Sequence, residues 1–472
     1  MLTIRPPARV SAILARHGRD ESQMDRALHG ATVRSVLEMG LPSIASFLLL
    51  TVYDLVDIFW LAKLGEAPVA AVTVFTAFQW VVSFLNQVIG SGSVTIISRR
   101  FGAGQLERTE SAIKTTFVGK FLAGAISGAV GLLACRWALG FLGATPPVVE
   151  LGVDYGRIQL AVLPISLASF SVYTAFRGIG RPRYGMWVSV AGAAVNLVAD
   201  PLLIFGVGPF PELGIVGASI ASALGFLTVT AWGCFALSLP GSPVRVRWFS
   251  GPPASLEDLR RIGKIGFPSA LESLSFALFS SVLVKLVAIY GTTTVALFGM
   301  SRKVLQFGHM LIAGLGLGSG ALVGQHLGAG RLERAWATMV VTVQLSTLTL
   351  LTFASIVALF ADPIVAMFFP DVTHRPEGMR YLRLLALGLP FVGMWAGAEQ
   401  SFAGAGRTVP PLIAQAANHW LITVPLMYAL GEIAGFGPSG MMLGLAIGQL
   451  IGAVIAFGMV RRGTWLVHEV AG

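Results

Sequence analysis

The chain has 472 residues, 55% of them hydrophobic and only 12% charged, which leaves too few polar side chains to cover a water-soluble globule of this size. Its net charge of +10 sits in short clusters between long apolar runs rather than along one polar face, which argues against a nucleic-acid surface and fits loops facing a cytoplasm. Cys135 and Cys234 lie in apolar segments without a CxxC or His companion, so neither a disulfide framework nor a cysteine metal site has support.

The first 36 residues carry Arg5, Arg9, Arg16, Arg19, Arg26 and Arg34, but also Asp20, Glu21 and Asp25, and they lack an apolar core. That pattern predicts a cytoplasmic arm over 1–36, not a cleaved targeting peptide. A bilayer core of about 30 Å takes around 20 apolar helical residues. Twelve such segments follow, near 38–64, 69–98, 113–140, 155–177, 184–208, 215–239, 265–290, 295–323, 337–369, 380–404, 410–433 and 441–460. They predict an all-α membrane protein with a first lobe over 37–240, a cytoplasmic linker over 241–263, a second lobe over 264–463 and a tail over 464–472. Arg99, Arg100, Arg108, Arg181, Arg183, Arg245, Arg247, Arg331, Arg334 and Arg407 follow even-numbered spans, and the tail adds Arg461 and Arg462. Because positive loops resist translocation, both termini are expected in the cytoplasm of a cell whose inner membrane holds the chain.

Along the spans, ionisable groups at membrane depth are functional candidates, because they are costly there and face cavities or partners. Span one holds Asp54 and Asp57 beyond Pro42; span five holds Asn196, Asp200 and Pro201, with Asn196 one turn before Asp200 on the same face. Both spans run outward, so Asp57 and Asp200 are expected at one level in one lobe, where they can share a site. Buried carboxyls disfavour charge, so a pair of them can carry a proton or hold a hard cation. Asn196 and the Ser222 hydroxyl early in span six can add oxygens for Na⁺ at Asp57, Asn196 and Asp200; Na⁺ and H⁺ both stay open. Glu272 in span seven and Glu399 in span ten are candidate contacts for a cationic substrate, as is Asp54. Phe75, Phe78, Trp80 and Trp395 are either lipid-facing packing or an aromatic lining. His309, His326 and His419 show no ligand spacing. Glycines 119, 124, 128 and 131 in span three, and 314, 316, 318 and 320 in span eight, permit close helix approach or bending.

Self-similarity organises the whole chain. Gly40-Leu41-Pro42-Ser43 recurs as Gly266-Phe267-Pro268-Ser269, Gly102-Ala103-Gly104 as Gly328-Ala329-Gly330, Leu163-Pro164 as Leu389-Pro390, and Gly178, Gly180 and Arg181 as Gly404, Gly406 and Arg407, all 226 residues apart. Each copy contains six spans, an even number, so the lobes are related by an axis along the membrane normal. Rocking of one lobe against the other then gives alternating access. The counterpart of Asp57 is Leu283, and that of Asp200 is Leu426, or Val424 when the prolines are aligned. The scaffold is repeated and the acids are not.

Pro42, Tyr53-Asp54-Leu55-Val56-Asp57, the Gly102-Ala103-Gly104 and Gly178-Ile179-Gly180-Arg181-Pro182 loops, Asn196-x-x-x-Asp200-Pro201 and Val323-Gly324-Gln325 together resemble the multidrug and toxic compound extrusion (MATE) transporters of the wider flippase superfamily. The resemblance covers about 35–462 and implies a twelve-helix, two-lobed antiporter expelling cationic or amphipathic compounds in exchange for Na⁺ or H⁺, with no organic cofactor. By resemblance the coupling site comprises Asp57, Asn196, Asp200 and Tyr155. Tyr173 stands where this branch often has Asn and Ser222 where it often has Thr, departures that weaken a Na⁺ site. A monomer in the lipid bilayer is expected. The nearest alternative is a flippase for lipid-linked saccharides or lipids, whose cavity would carry more cations. An enzyme lacks HExxH, GxSxG or a nucleotide loop.

Overall fold

In a bilayer core no water is available to backbone N–H and C=O groups, so each crossing must satisfy them within itself. The computed structural model describes Ser11 and residues 31–369 and 372–466. Most of the expected N-terminal arm and the tail beyond 466 lie outside these residues. The described residues form helices joined by short turns, with no strand among them. In order these are α1 (Ala31–Ala62), α2 (Glu66–Val82), α3 (Phe84–Gly102), α4 (Leu106–Phe141), α5 (Pro146–Ala161), α6 (Leu163–Gly178), α7 (Pro182–Phe205) and α8 (Gly214–Ser238). The second half comprises α9 (Leu256–Val287), α10 (Thr292–Gly328), α11 (Leu332–Leu359), α12 (Ala361–Phe368), α13 (Arg375–Ala386), α14 (Leu389–Gly404), α15 (Val409–Ala417), α16 (Val424–Tyr428) and α17 (Gly437–Arg461).

Among the described residues nine helical runs are long and apolar enough to cross a membrane, and two bent pairs, α2 with α3 (53°) and α5 with α6 (55°), make eleven. Pro164 at the start of α6 accounts for the second bend, since its ring removes a ladder donor. The twelfth expected crossing, 410–433, is a run without gaps: α15, a π-helical stretch Asn418–Thr423, α16 and a second π stretch Ala429–Ile433. The fold is thus the all-helical, twelve-crossing architecture expected.

The sequence repeat has a direct structural reading. Gly65, Gly104 and Gly180 adopt φ of 117°, 73° and 74°, and their counterparts Gly291, Gly330 and Gly406 adopt 95°, 68° and 77°. A side chain rarely tolerates these angles, so the same turns end the same helices in both copies. The span-three and span-eight glycines serve close packing. A Cβ on Gly124 would come within 3.0 Å of the Pro164 backbone, and one on Gly318 within 3.0 Å of the Met39 backbone.

Contacts divide the chain into two units, Ala45–Phe267 (the N-unit) and Pro268–Gly472 together with the segment ending at Ile44 (the C-unit). The expected lobes began at 37 and 264; here the divisions fall inside α1 and α9, beside Pro42 and at Pro268. The start of each repeat's first helix therefore packs in the unit built by the other repeat. Gly40 approaches the Leu315 backbone in the C-unit, and Gly266 meets the Val88 carbonyl in the N-unit.

The expected linker, 241–263, is a packed part of the N-unit. Arg100 donates two hydrogen bonds, of 2.7 and 2.6 Å, to the Asp258 carboxylate. The Lys114 ammonium donates to the carbonyls of Ser250 (2.7 Å) and Pro252 (3.1 Å). Glu110 accepts from the Arg247 guanidinium at 2.9 Å, and this bond holds the Arg247 pKa above its ordinary value. Arg100 and Asp258 side chains are only 14% and 7% exposed, so Asp258→Ala strands a desolvated guanidinium and should cost about 3 kcal/mol. The Arg136–Glu150 pair is 59% and 60% exposed; solvent screens it, and Glu150→Ala should leave the midpoint almost unchanged. Thermal unfolding of the two variants in detergent checks this contrast, which equal losses would contradict.

Candidate functional site

Asp57 on α1 and Asp200 on α7 each lie five residues before the last residue of their helix, Ala62 and Phe205, about 7.5 Å at 1.5 Å per residue. The helices end slightly earlier than the sequence suggested, but the shared depth holds. Gly206, at φ 67°, supplies the left-handed residue that ends α7. Asp57 is 7% exposed and Asp200 is fully buried. Their carboxyl groups are in side-chain hydrogen-bonding contact with each other. Asn196, one turn before Asp200, donates to Asp200 Oδ1 at 3.3 Å and also reaches Asp57. Asp57 Oδ1 and Asp200 Oδ2 are buried without a hydrogen-bond partner. Two carboxylates this close and this dry cannot both stay charged unless a cation joins them, an arrangement that can take up a proton or a cation.

Around the pair, Tyr53 OH and Ser222 Oγ are 2.7 Å apart. The Tyr155 hydroxyl accepts from Gln159 Nε2 at 3.2 Å, and its ring meets Phe75 edge-on at 5.3 Å. Asp57 and Asp200 both act electrostatically on Tyr155, which places it beside them. Trp60 packs edge-on against Phe205 at 5.9 Å, covering the end of α1 and α7 beyond the acids. The structure thus brings together Asp57, Asn196, Asp200, Tyr155 and, through Tyr53, Ser222. It does not bring in Tyr173, whose hydroxyl bonds Ser189 and whose ring packs on Phe170. Asp54, one turn before Asp57, is exposed. Two residues join this set: Tyr53, which the sequence offered only as part of the Tyr53–Asp57 motif, and Gln159, signalled only by its spacing of four residues from Tyr155.

The C-unit holds a second pair of acids. Glu272 on α9 and Glu399 on α14 act on each other electrostatically, Trp395 Nε1 donates to Glu399 at 3.1 Å, and Glu272 Oε1 is buried without a partner. The carboxyls of Asp57 and Asp200 have no equivalents at Leu283 and Leu426, and the pair in the C-unit is made by the two other acids that the sequence singled out. Each unit has its own pair at non-equivalent positions: Glu399 lies 226 residues after Tyr173 and Glu272 the same distance after Ser46. Leu283, the counterpart of Asp57, is 2% exposed within the C-unit's apolar core, where a carboxyl would find no partner. His419 stacks on Phe279 at 3.9 Å and His309 bonds the Leu305 carbonyl at 3.0 Å, so both act as packing residues.

The MatE family model matches residues 42–202 and 268–429. The two blocks start 226 residues apart (268 − 42), the offset of the repeat. The chain is 26% identical over 445 residues to the FAD transporter of Shewanella oneidensis, covering 91% of this chain and 94% of that one. It is 27% identical to the probable multidrug resistance protein NorM of Deinococcus radiodurans, at 91% and 95% coverage, and 24% identical to the multidrug export protein MepA of Staphylococcus aureus, at 90% and 92%. The crystal structure of MATE in the bent conformation superposes with a TM-score of 0.83 at 24% identity, covering 93% of this chain and 97% of that one, which supports the fold. Matched in both halves of its repeat and folded as those transporters are, the chain belongs to the MatE family.

Proposed function

We propose that this chain is a proton-coupled antiporter of the plasma membrane that exports cationic or amphipathic small compounds, with Asp57 and Asp200 as the coupling pair. The family is one of membrane transporters driven by ion gradients, and relatives named for multidrug resistance and multidrug export support this class of cargo. The observation that carries the reading is the contact between two buried carboxyls, each with one oxygen lacking a partner. A hard cation such as Na⁺ needs several oxygens. Here the Ser222 hydroxyl is engaged by Tyr53 and that of Tyr155 by Gln159. The two remaining carboxyl oxygens are enough for a proton and few for Na⁺, so H⁺ is favoured. Proton entry from outside would discharge the pair, and its loss to the cytoplasm would reset it. The decisive assay is sodium-free uptake of a fluorescent organic cation into everted vesicles under an imposed acid-inside gradient.

Tyr53 fixes the wall of this site. Tyr53→Phe removes one hydrogen bond, worth about 0.5–1.5 kcal/mol, and should slow gradient-driven uptake several-fold without abolishing it; an unchanged rate would remove Tyr53 from the site.

The exposed Asp54 and the Glu272–Glu399 pair are read as contacts for the positive charge of the cargo. For the glutamates, Glu272→Gln is expected to raise KM for a cationic dye and leave that of a neutral one. The clusters of Arg beside even-numbered spans support cytoplasmic termini, testable with reporter fusions at each loop. A monomer suffices, because each acid pair lies within one unit of one chain.

A further inference from the structure

Lys120, on α4 in the N-unit, is only 2% exposed. Its ammonium lies over Gly90 of α3, 3.6 Å from where a Cβ there would stand, and 5.9 Å from the Phe170 ring of α6. Among the described residues the one charged group acting on it is another cation, Arg177, in the last turn of α6. Arg177 Nε is buried without a hydrogen-bond partner, and among the described residues no carboxylate acts on either cation. The other buried cations of this unit are matched, Arg100 by Asp258 and Lys114 by Glu110.

A desolvated cation without a counter-charge costs several kcal/mol, and a second cation nearby adds repulsion. An anion between them would remove both penalties. A guanidinium fork beside an ammonium matches phosphate oxygens, the fork by paired hydrogen bonds and the ammonium as a point charge. Helices α3, α4 and α6 pack on one another, so both cations project from one rigid three-helix frame. Arg177 directly precedes the Gly178–Arg181 turn, at the end proposed to face the cytoplasm.

We propose that Lys120 and Arg177 form a binding site for a phosphate-bearing anion, separate from the Asp57–Asp200 pair and reached from the cytoplasmic end of the N-unit. Its source is a lipid headgroup or a soluble phosphate, and the test separates them. Thermal unfolding of the full-length protein is measured in dodecyl maltoside, a detergent without phosphate, with inorganic phosphate against chloride at equal ionic strength, and in the same detergent with added phosphatidylglycerol and no inorganic phosphate. Wild type should gain thermal stability in at least one arm, since a ligand that binds the folded state raises the midpoint by mass action. A gain with inorganic phosphate assigns a soluble anion, and a gain only with phosphatidylglycerol assigns a headgroup. Lys120→Met and Arg177→Met should each weaken the response at least tenfold, while Lys120→Arg and the exposed-site control Arg183→Ala keep it. Without ligand, Lys120→Met should unfold no earlier than wild type, because it deletes an uncompensated charge. No gain for wild type in either arm, or Met variants that retain the full gain, would overturn the site; the wild-type titration decides even where a variant fails to fold.

Discussion

Asp200→Asn and Asp57→Asn should each reduce gradient-driven efflux by on the order of 100-fold, the upper range of coupling between linked sites. The amide keeps the shape of the side chain and most of its hydrogen bonding but cannot exchange a proton. Asn at 200 can still pair with Asn196, and the site is closed by Trp60 over Phe205 on one side, so both variants should fold. Removing one of two like groups also relieves a repulsion, so melting temperatures should stay level or rise. Downhill exchange of labelled for unlabelled substrate, which needs no proton, should persist in both. Loss of exchange together with loss of uptake would mean instead that these residues hold the cargo.

The largest structural effect is expected at Gly266 and Gly92. A Cβ on Gly266 would meet the Val88 carbonyl oxygen of α3, and one on Gly92 the Ile262 carbonyl oxygen of α9. Both obstacles are backbone, so no rotamer change relieves them; the two helices must separate. Gly266→Val or Gly92→Val should therefore cost about 3 kcal/mol or more and leave little monodisperse protein in detergent. Gly140, with no atom within 4 Å of an added Cβ, supplies the control: Gly140→Ala should be neutral or stabilising by up to about 1 kcal/mol. Comparable losses at Gly140 and Gly266 would show that the close approach of α3 and α9 does not hold the N-unit together.

Much of this was legible in the sequence because it depends on local or periodic signals. Spans follow from length and apolarity, turns from glycines such as Gly104 and Gly330, and the acid pair from two carboxyls at equal depth on outward-running helices. What was hidden depends on which side chains meet in space. The exchange of first-helix segments at Ile44 and Phe267 rests on interhelical packing at Gly40 and Gly266. The pairing of Glu272 with Glu399 joins helices more than a hundred residues apart in sequence. Tyr173 was placed near the coupling pair by resemblance, and a single local bond to Ser189 takes it elsewhere. Lys120 reads as an ordinary lysine of span three until its lack of an acidic neighbour among the described residues is seen.

The most direct test of the Asp57–Asp200 coupling site is uptake of a fluorescent organic cation into sodium-free proteoliposomes under an imposed acid-inside gradient, with wild type, Asp57→Asn and Asp200→Asn reconstituted at equal density. The expected result is uptake by wild type that collapses with the gradient and is absent from both variants. Wild-type rates in both variants would contradict it and leave Glu272 and Glu399 as the acids to examine.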